Sequence, residues 1–397
     1  MIKLLKYELI SPSGDFASLK AAVEAGADSI YFGLREFSMR AFAKNFSLKD
    51  LKEIKKICEP KKVKKYLTLN TIIYDKEIEK IEEIIKKARL FIDAVICWDF
   101  SVIEVCKKHN IPFHISTQAS IANSKSAQFY KKMGAKRVVV ARELDLKKIK
   151  KISKITDVEA FCHGAMCVAI SGRCFTSQFL FNKSANRGEC LQPCRRKYKI
   201  IDEESNELIL ENNRVMSAKD LCTLPFIEKM KKAGIRAFKI EGRNRSPEYV
   251  YTTTRVYRKA LDRKLSKEEI EKCLEELKKV YNRGFSSGFY LGLPTPKDFS
   301  SSDSGEQTES KEYIGRVEKY WPKIEVAAVK IHKNGLKKDS EVYVIGEKTG
   351  VKRLKIERIE KNKEEVSETK KGDLVAIKIP CAKKGDKVYL INEKVLY

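Results

Sequence analysis

The chain predicts an α/β protein: a TIM-like (β/α)8 barrel over residues 1–300, followed by a small all-β barrel over 301–397. Three observations carry this. Eight short β-branched runs alternate with amphipathic helical patterns in the first 245 residues, the repeat of parallel strands joined by right-handed crossovers. Each run stops at polar residues, as strands do at a functional barrel rim. After the polar linker Ser300-Ser301-Ser302-Asp303-Ser304-Gly305, strands return without helices between them. A doubly wound open sheet is the alternative for the first part.

The expected barrel strands are Tyr7–Ser11, Ser29–Phe32, Tyr66–Ile72, Ala94–Trp98, Pro112–Thr117, Arg137–Ala141, Val158–Cys162 and Ala237–Ile240. Helix signals follow most of them. Ser13 and Asp15 precede Phe16–Ala25, Ser47 precedes Leu48–Ile57, and Asp75 precedes Glu77–Ala88. Asn123 and Ser124 precede Ala127–Met133, and Asp145 opens Leu146–Ile152. The polar strand ends are Glu8, Gly33, Asn70, Asp99, Gln118, Arg142-Glu143, His163 and Glu241-Gly242-Arg243. The connection from the seventh strand to the eighth, about 164–236, is far longer than an ordinary βα loop and its helix. Lys197–Asp202 and Leu208–Val215 read as a hairpin within it. In the last hundred residues the expected strands are Tyr313–Tyr320, Ile324–Ile331, Glu341–Ile345, Lys352–Ile359, Leu374–Ile379 and Lys387–Ile391. Their spacing suggests a small barrel, similar to the barrel domains of translation factors.

Charge narrows the partners. The chain carries 81 Lys+Arg against 54 Asp+Glu, a net +27. Residues 301–397 hold 22 basic and 17 acidic residues, so +22 of the excess lies in the first 300. Such a field favours RNA or DNA as partner; a Lys/Glu-rich surface suited to heat is the alternative. The N-terminus, Met1-Ile2-Lys3-Leu4-Leu5-Lys6-Tyr7-Glu8, breaks its apolar run with charges and is not a signal peptide. No stretch approaches 18 consecutive apolar residues, so no membrane partner is expected and a cytoplasmic address is. Eleven cysteines would stay reduced there.

Four of those thiols fall close together: Cys167, Cys174, Cys190 and Cys194, spaced C-x6-C-x15-C-x3-C, with Cys222 beyond them. Structural zinc prefers two close pairs, and only Cys190-x3-Cys194 has that form. Single thiols at unequal spacing suit a [4Fe–4S] cluster, while buried structural cysteine is the third reading. Six basic residues surround them, Lys183, Arg187, Arg195, Arg196, Lys197 and Lys199, against the single acid Glu189. That stretch could hold a phosphate backbone while a base enters the pocket. Phe175, Phe179, Phe181 and Tyr198 would stack on it or pack the insertion.

These residues carry a resemblance. Glu159-Ala-Phe-Cys-His-Gly-Ala-Met-Cys167, Ser171-Gly-Arg-Cys174, Ala185-Asn-Arg-Gly-Glu-Cys-Leu-Gln-Pro-Cys-Arg195 and Ala218-Lys-Asp-Leu-Cys222 resemble the collagenase-like proteins of peptidase family U32. Lys239-Ile-Glu-Gly-Arg243, Ser246-Pro-Glu-Tyr249, Arg283-Gly-Phe-Ser-Ser-Gly-Phe-Tyr290, Ala25-Gly-Ala-Asp-Ser-Ile-Tyr-Phe-Gly33 and Phe37-Ser-Met-Arg40 fit as well. The likeness spans residues 5–295; Ile170 and Met216-Ser217-Ala218 depart from the pattern. The peptidase name finds little support, since H-E-x-x-H and G-x-S-x-G are absent and the histidines are only His109, His114, His163 and His332. The resemblance implies instead oxygen-independent hydroxylation: 5-hydroxyuridine in tRNA, a hydroxycytidine in ribosomal RNA, or a quinone ring. For the RNA enzymes it implies prephenate as oxygen source and an iron–sulfur cluster at the cysteines.

The charge favours RNA, tRNA first, over a quinone. Cys167, Cys174 and Cys190 are then the expected ligands, with Cys222 preferred as fourth for its Lys219-Asp220-Leu221-Cys222 motif and Cys194 as alternative. Rim position and motif make His163, Glu143, Lys239, Glu241 and Arg243 the candidate acid/base and substrate-binding groups. Arg173 or Arg243 would clamp a prephenate carboxylate through its bidentate fork. The base modified and the oligomeric state are left open.

Overall fold

The computed structural model describes residues 7–199, 201–207, 216–302 and 305–394. Ten strands belong to the first sheet: β1 Glu8–Ser13, β2 Ser29–Gly33, β3 Lys64–Thr68, β4 Ala94–Cys97, β5 Phe113–Ile115, β6 Arg137–Val139, β7 Val158–Gly164, β8 Asp220–Cys222, β9 Ala237–Ile240 and β10 Phe285–Ser286. Strands β1 to β7 pair in sequence order, all parallel, and β9 pairs in parallel with both β7 and β1. Eight parallel strands therefore close into a barrel, as the alternation predicted, and the open-sheet alternative falls.

Local chemistry starts the helices, three of the next four where the sequence placed them and one, Phe100–Lys108, where the sequence marked only a strand end at Asp99. The carboxylates of Asp15, Asp99 and Asp145 and the side-chain oxygen of Asn123 accept from backbone N–H groups in the first turns of Phe16–Glu24, Phe100–Lys108, Leu146–Ile152 and Ser124–Lys132. Apolar faces such as Ile81, Ile84 and Ile85 pack on the strands and join one core. Several strands are shorter than expected at their C-terminal ends. There the backbone bonds leave the ladder: Asn70 N–H donates to Phe37 and Ala141 N–H to Ile121, turning polar residues over the mouth.

The long connection between β7 and β9 is confirmed, and it holds an element the sequence reading missed. Strand β8 runs antiparallel to β7, with Cys222 opposite His163, and parallel to β10. Within the insertion are the helix Thr176–Phe181 and two single turns. Of the expected hairpin, an antiparallel bridge between Ile201 and Glu207 is present; Leu208–Val215 lies outside the described residues.

The C-terminal unit is an antiparallel sheet of β11 Glu309–Trp321, β12 Val326–Ile331, β13 Glu341–Gly346, β14 Gly350–Lys355, β15 Ile359–Lys361, β16 Glu364–Glu365, β17 Leu374–Lys378 and β18 Lys387–Glu393. Six strands were expected; Lys352–Ile359 divides at 356–358, and β16 is added. The order is β14-β13-β18-β11-β12-β17-β15-β16, and the two end strands are not paired with each other among the described residues. One core, including Ile314, Val329, Val344, Ile377 and Val388, serves the sheet, so the sheet wraps around it. Tyr343 and Val351 pack instead into the large barrel's core, and Lys311–Glu248 at 2.6 Å and Lys352–Glu24 at 3.3 Å bridge the units. Among the described residues no helix is long and apolar enough to cross a membrane.

Candidate active site at the barrel mouth

The barrel interior is ionic at its floor. Lys239 on β9 donates to Glu159 on β7 at 2.7 Å, and both are buried. Arg137 on β6 lies beside Glu159, 3.7 Å away, and donates to Glu8 on β1 at 2.8 Å; Tyr66 donates to Glu8 from β3. The Lys239 ammonium also sits 4.3 Å from the centre of the Tyr31 ring. Burial pulls the Lys239 pKa down and Glu159 pulls against it. Arg137 also donates to Asp157 at 2.7 Å and Lys64 pairs with Glu8 at 3.6 Å, so three cations and three anions balance and this layer is a fixed electrostatic floor.

Above it, the charge does not balance. Arg40 donates to Glu241 at 3.0 Å, and Arg142 lays its guanidinium 3.8 Å from the centre of the Phe161 ring while donating to the Ala165 carbonyl at 2.7 Å. Arg243 runs inward beneath them and donates to Ser38 and to Thr68, the latter at 3.0 Å. Gly33 makes this crossing possible: a Cβ there would stand 2.3 Å from the Arg243 guanidinium. Four guanidiniums, of Arg40, Arg142, Arg243 and Arg245, thus lie within electrostatic reach of one carboxylate. Burial pushes Arg243 down to about 10, and it lowers Arg142, with Arg40 adding to both shifts. Burial would raise Glu241, but Arg40, Arg245 and Arg142 outweigh it and hold the carboxylate ionised. The Arg142 Nε is buried without a hydrogen-bond partner. A mouth with this excess favours an anionic ligand.

The insertion roofs that mouth. Gly188, at φ 98°, approaches so closely that a Cβ would meet the Ser38 carbonyl at 2.3 Å, and the Ala41 N–H donates to the Gly188 carbonyl. Arg187 donates to the Ile72 carbonyl and, in a bidentate pair, to Glu77. Cys174 is held through its N–H to Asn186, and Leu191, next to Cys190, through its N–H to Ser177. Cys167 is exposed and Cys174, Cys190 and Cys194 are half-buried. Burial raises the Cys194 thiol, with Cys167, Cys190 and Cys174 as contributing neighbours, and Cys167 also lies within electrostatic reach of Arg40 and Arg142. Cys222 is buried elsewhere, against Cys162 and the Tyr257 hydroxyl. Among the described residues no group of three or more His, Cys, Asp or Glu side chains is spaced to hold a metal ion.

Several predicted site residues take other places. His163 is enclosed by Tyr249, Tyr257 and Phe285, and burial holds its pKa down to about 3; its backbone carbonyl accepts from the Glu241 N–H at 2.8 Å, while its ring lies in that aromatic enclosure. Glu143 is exposed, and its neighbour Arg142 is the one that reaches in. Lys239 belongs to the floor, Glu241 and Arg243 to the mouth. Arg173 lies exposed on the insertion, 5.8 Å from the Trp98 ring centre. Of the basic stretch, Arg187 and Arg195 bind protein groups. Lys183 pairs with Glu189 at 3.5 Å, Lys199 with Glu207 at 2.8 Å, and Arg196 covers Phe181; Lys197 is exposed. Arg40, Arg142 and Glu159 had no role assigned from sequence. All three stood in strand-end or motif stretches already singled out, and only side-chain direction was missing.

A family model for peptidase family U32 matches residues 14–299. The chain belongs to that family. Its relatives bear two kinds of name. A collagenase of Porphyromonas gingivalis is 39% identical over 98% of each chain. The tRNA hydroxylation protein P1 of Bacillus subtilis is 34% identical, covering 86% of this chain and 84% of that one. The 23S rRNA 5-hydroxycytidine C2501 synthase of Escherichia coli is 38% identical over 65% of this chain and 39% of its own length. The names of these relatives thus divide between proteolysis and RNA hydroxylation.

Proposed function

We propose that this U32 protein hydroxylates RNA, with 5-hydroxyuridine formation in tRNA as the first expectation and ribosomal RNA as the second. The observation that carries the reading is a mouth with four guanidiniums around one buried carboxylate, roofed by a thiol-rich insertion. The names of the relatives in B. subtilis and E. coli support it. Exposed Phe175 and Phe179, 61% and 83% accessible with ring centres 6.1 Å apart, offer stacking faces for unpaired bases, with Arg196 over Phe181 of the same segment. Prephenate is the proposed oxygen source. Arg40 and Arg142, with Arg243 behind them, suit its two carboxylates better than the exposed Arg173.

A [4Fe–4S] cluster is part of the proposal. The donor chemistry fits, since soft thiolates on separate turns beside cationic side chains are what such a cluster takes; their present spacing is not a closed cage. Cys167, Cys174 and Cys190 would hold it, with Cys222 or Cys194 as the fourth. Cys194 has the other three as neighbours, whereas Cys222 carries the motif but would have to leave its packing against Tyr257. The cluster would supply one-electron chemistry. The chain's own residues bind the anion, position the base and hold Glu241 ionised.

The protease reading lacks its base. A Cys–His hydrolase would need His163, whose ring is enclosed by Tyr249, Tyr257 and Phe285 and whose basicity burial lowers, making it a poor acceptor of a thiol proton. Iron and acid-labile sulfide in protein purified without oxygen test the proposal, with about four of each per chain expected. Cys167→Ser should lose both, and Cys194→Ser against Cys222→Ser identifies the fourth ligand. Wild-type protein free of iron would remove the cluster from the account.

A further inference from the structure

Arg195 stands out in the basic stretch because its charge is turned into the protein. One guanidinium nitrogen donates to the Met166 carbonyl, directly before Cys167. Another donates to the Ser217 hydroxyl at 3.2 Å and to the Ala218 carbonyl, on the segment that leads through β8 to Cys222. Arg195 itself follows Cys194. One planar fork therefore ties together three stretches of chain that each bear a candidate ligand thiol, and these are separated by 29 and 23 residues in sequence. Flexible turns need such cross-ties, because the insertion has little regular structure of its own to fix thiol positions.

The surroundings reinforce the fork. Ser217 is buried, and Asp220 on β8 is buried with Arg195, Arg245 and Arg283 as its cationic neighbours. Arg283 reaches back to the Gln192 side chain at 3.3 Å, gripping the same turn from its other side. On the opposite flank Arg142 holds the Ala165 carbonyl. Both peptide carbonyls ahead of Cys167 are thus fixed by guanidiniums.

We infer that Arg195 is a positioning residue for the cysteine insertion, setting the relative places of the Cys167, Cys194 and Cys222 segments rather than contacting RNA phosphate. The inference rests on the cluster reading above. Lysine at this position keeps the charge but cannot make the forked set of bonds.

The test compares wild type, Arg195→Lys, Ser217→Ala and Cys167→Ser, all purified without oxygen. Iron release to a chelator, the electron paramagnetic resonance spectrum of the reduced protein, the melting temperature and tRNA affinity are measured on each. Arg195→Lys should release iron about 10- to 100-fold faster and alter the spectrum, as loss of a supporting hydrogen-bond shell does. Its tRNA affinity should stay at the wild-type level. Ser217→Ala, which removes a single acceptor and spares the guanidinium, should show a milder acceleration and serves if Arg195→Lys does not fold. Wild-type release rates and spectra in both variants would overturn the inference while leaving the cluster intact. Weakened tRNA binding with unchanged iron release would do the same, restoring a phosphate-contact role. Iron retained in Cys167→Ser, or absent from wild type, would instead sink the cluster reading itself.

Discussion

Glu159 and Lys239 are sequestered in the barrel floor and answer for each other's charge. Removing one charge strands the other in a low-dielectric interior, which typically costs about 3–5 kcal/mol. Glu159→Gln should therefore lower the unfolding free energy by roughly that amount in denaturant titration, and a change under about 1 kcal/mol would refute the floor's role. A pH dependence follows from the buried histidines. His163 and His114 have folded values pushed by burial from 6.5 to about 3, so the unfolded chain binds more protons between those limits. Stability present above pH 6.5 is then lost as the pH falls toward 3, and Glu8, held down to about 2, adds its own loss below 4.5. Unfolding free energies at pH 7.5, 6 and 5 should fall in that order, with a shallower slope in His163→Gln. At this scale the sequence showed which strands end in chemistry but not which way each side chain turns. Arg142 and Glu143 are adjacent, and only the path of the turn after β6 decides that the arginine enters the mouth. His163 stood out by its rim position and motif; the helix Pro247–Asp262, which supplies Tyr249 and Tyr257 to enclose it, is remote in sequence.

The eight barrel strands were legible because β-branched runs and Asp or Asn caps are local signals. Strand β8 was not, since three residues buried at Asp220–Cys222 leave no periodicity to read. The same holds for the docking of the insertion, which depends on contacts such as Gly188 on Ser38. That contact makes a prediction for the element. Gly188→Ala combines a positive φ with a Cβ 2.3 Å from a carbonyl oxygen, and should cost more than about 1 kcal/mol. The loss should be local: limited proteolysis should cut within 164–236 at least several times faster, with the barrel's melting temperature changing far less. Cleavage at the wild-type rate would show that the insertion is held by other contacts.

For the whole molecule, the charge divides into two populations. Lysine pairs close the helices Leu51–Cys58, Ile78–Ala88, Phe100–Lys108, Ser124–Lys132 and Leu146–Ile152. In a parallel barrel those helix ends lie on the face opposite the mouth, where cations offset the helix dipoles. If the protein binds RNA as proposed, the contacts fall on the fewer basic residues around the insertion rather than on the overall net charge. Replacing Lys150 and Lys151 with Gln should leave tRNA affinity within about twofold, whereas replacing Lys183, Arg196 and Lys197 should weaken it and flatten its salt dependence. Equal effects from both sets would mean that binding follows the overall field. Whether the roofed, basic mouth modifies RNA is decided by mass spectrometry of tRNA and ribosomal RNA nucleosides from cells lacking this protein, complemented with wild type or with Cys167→Ser. The expected result is a nucleoside one oxygen atom heavier than its parent, lost on deletion, restored by wild type and not by the variant. An identical nucleoside profile in all strains would contradict it.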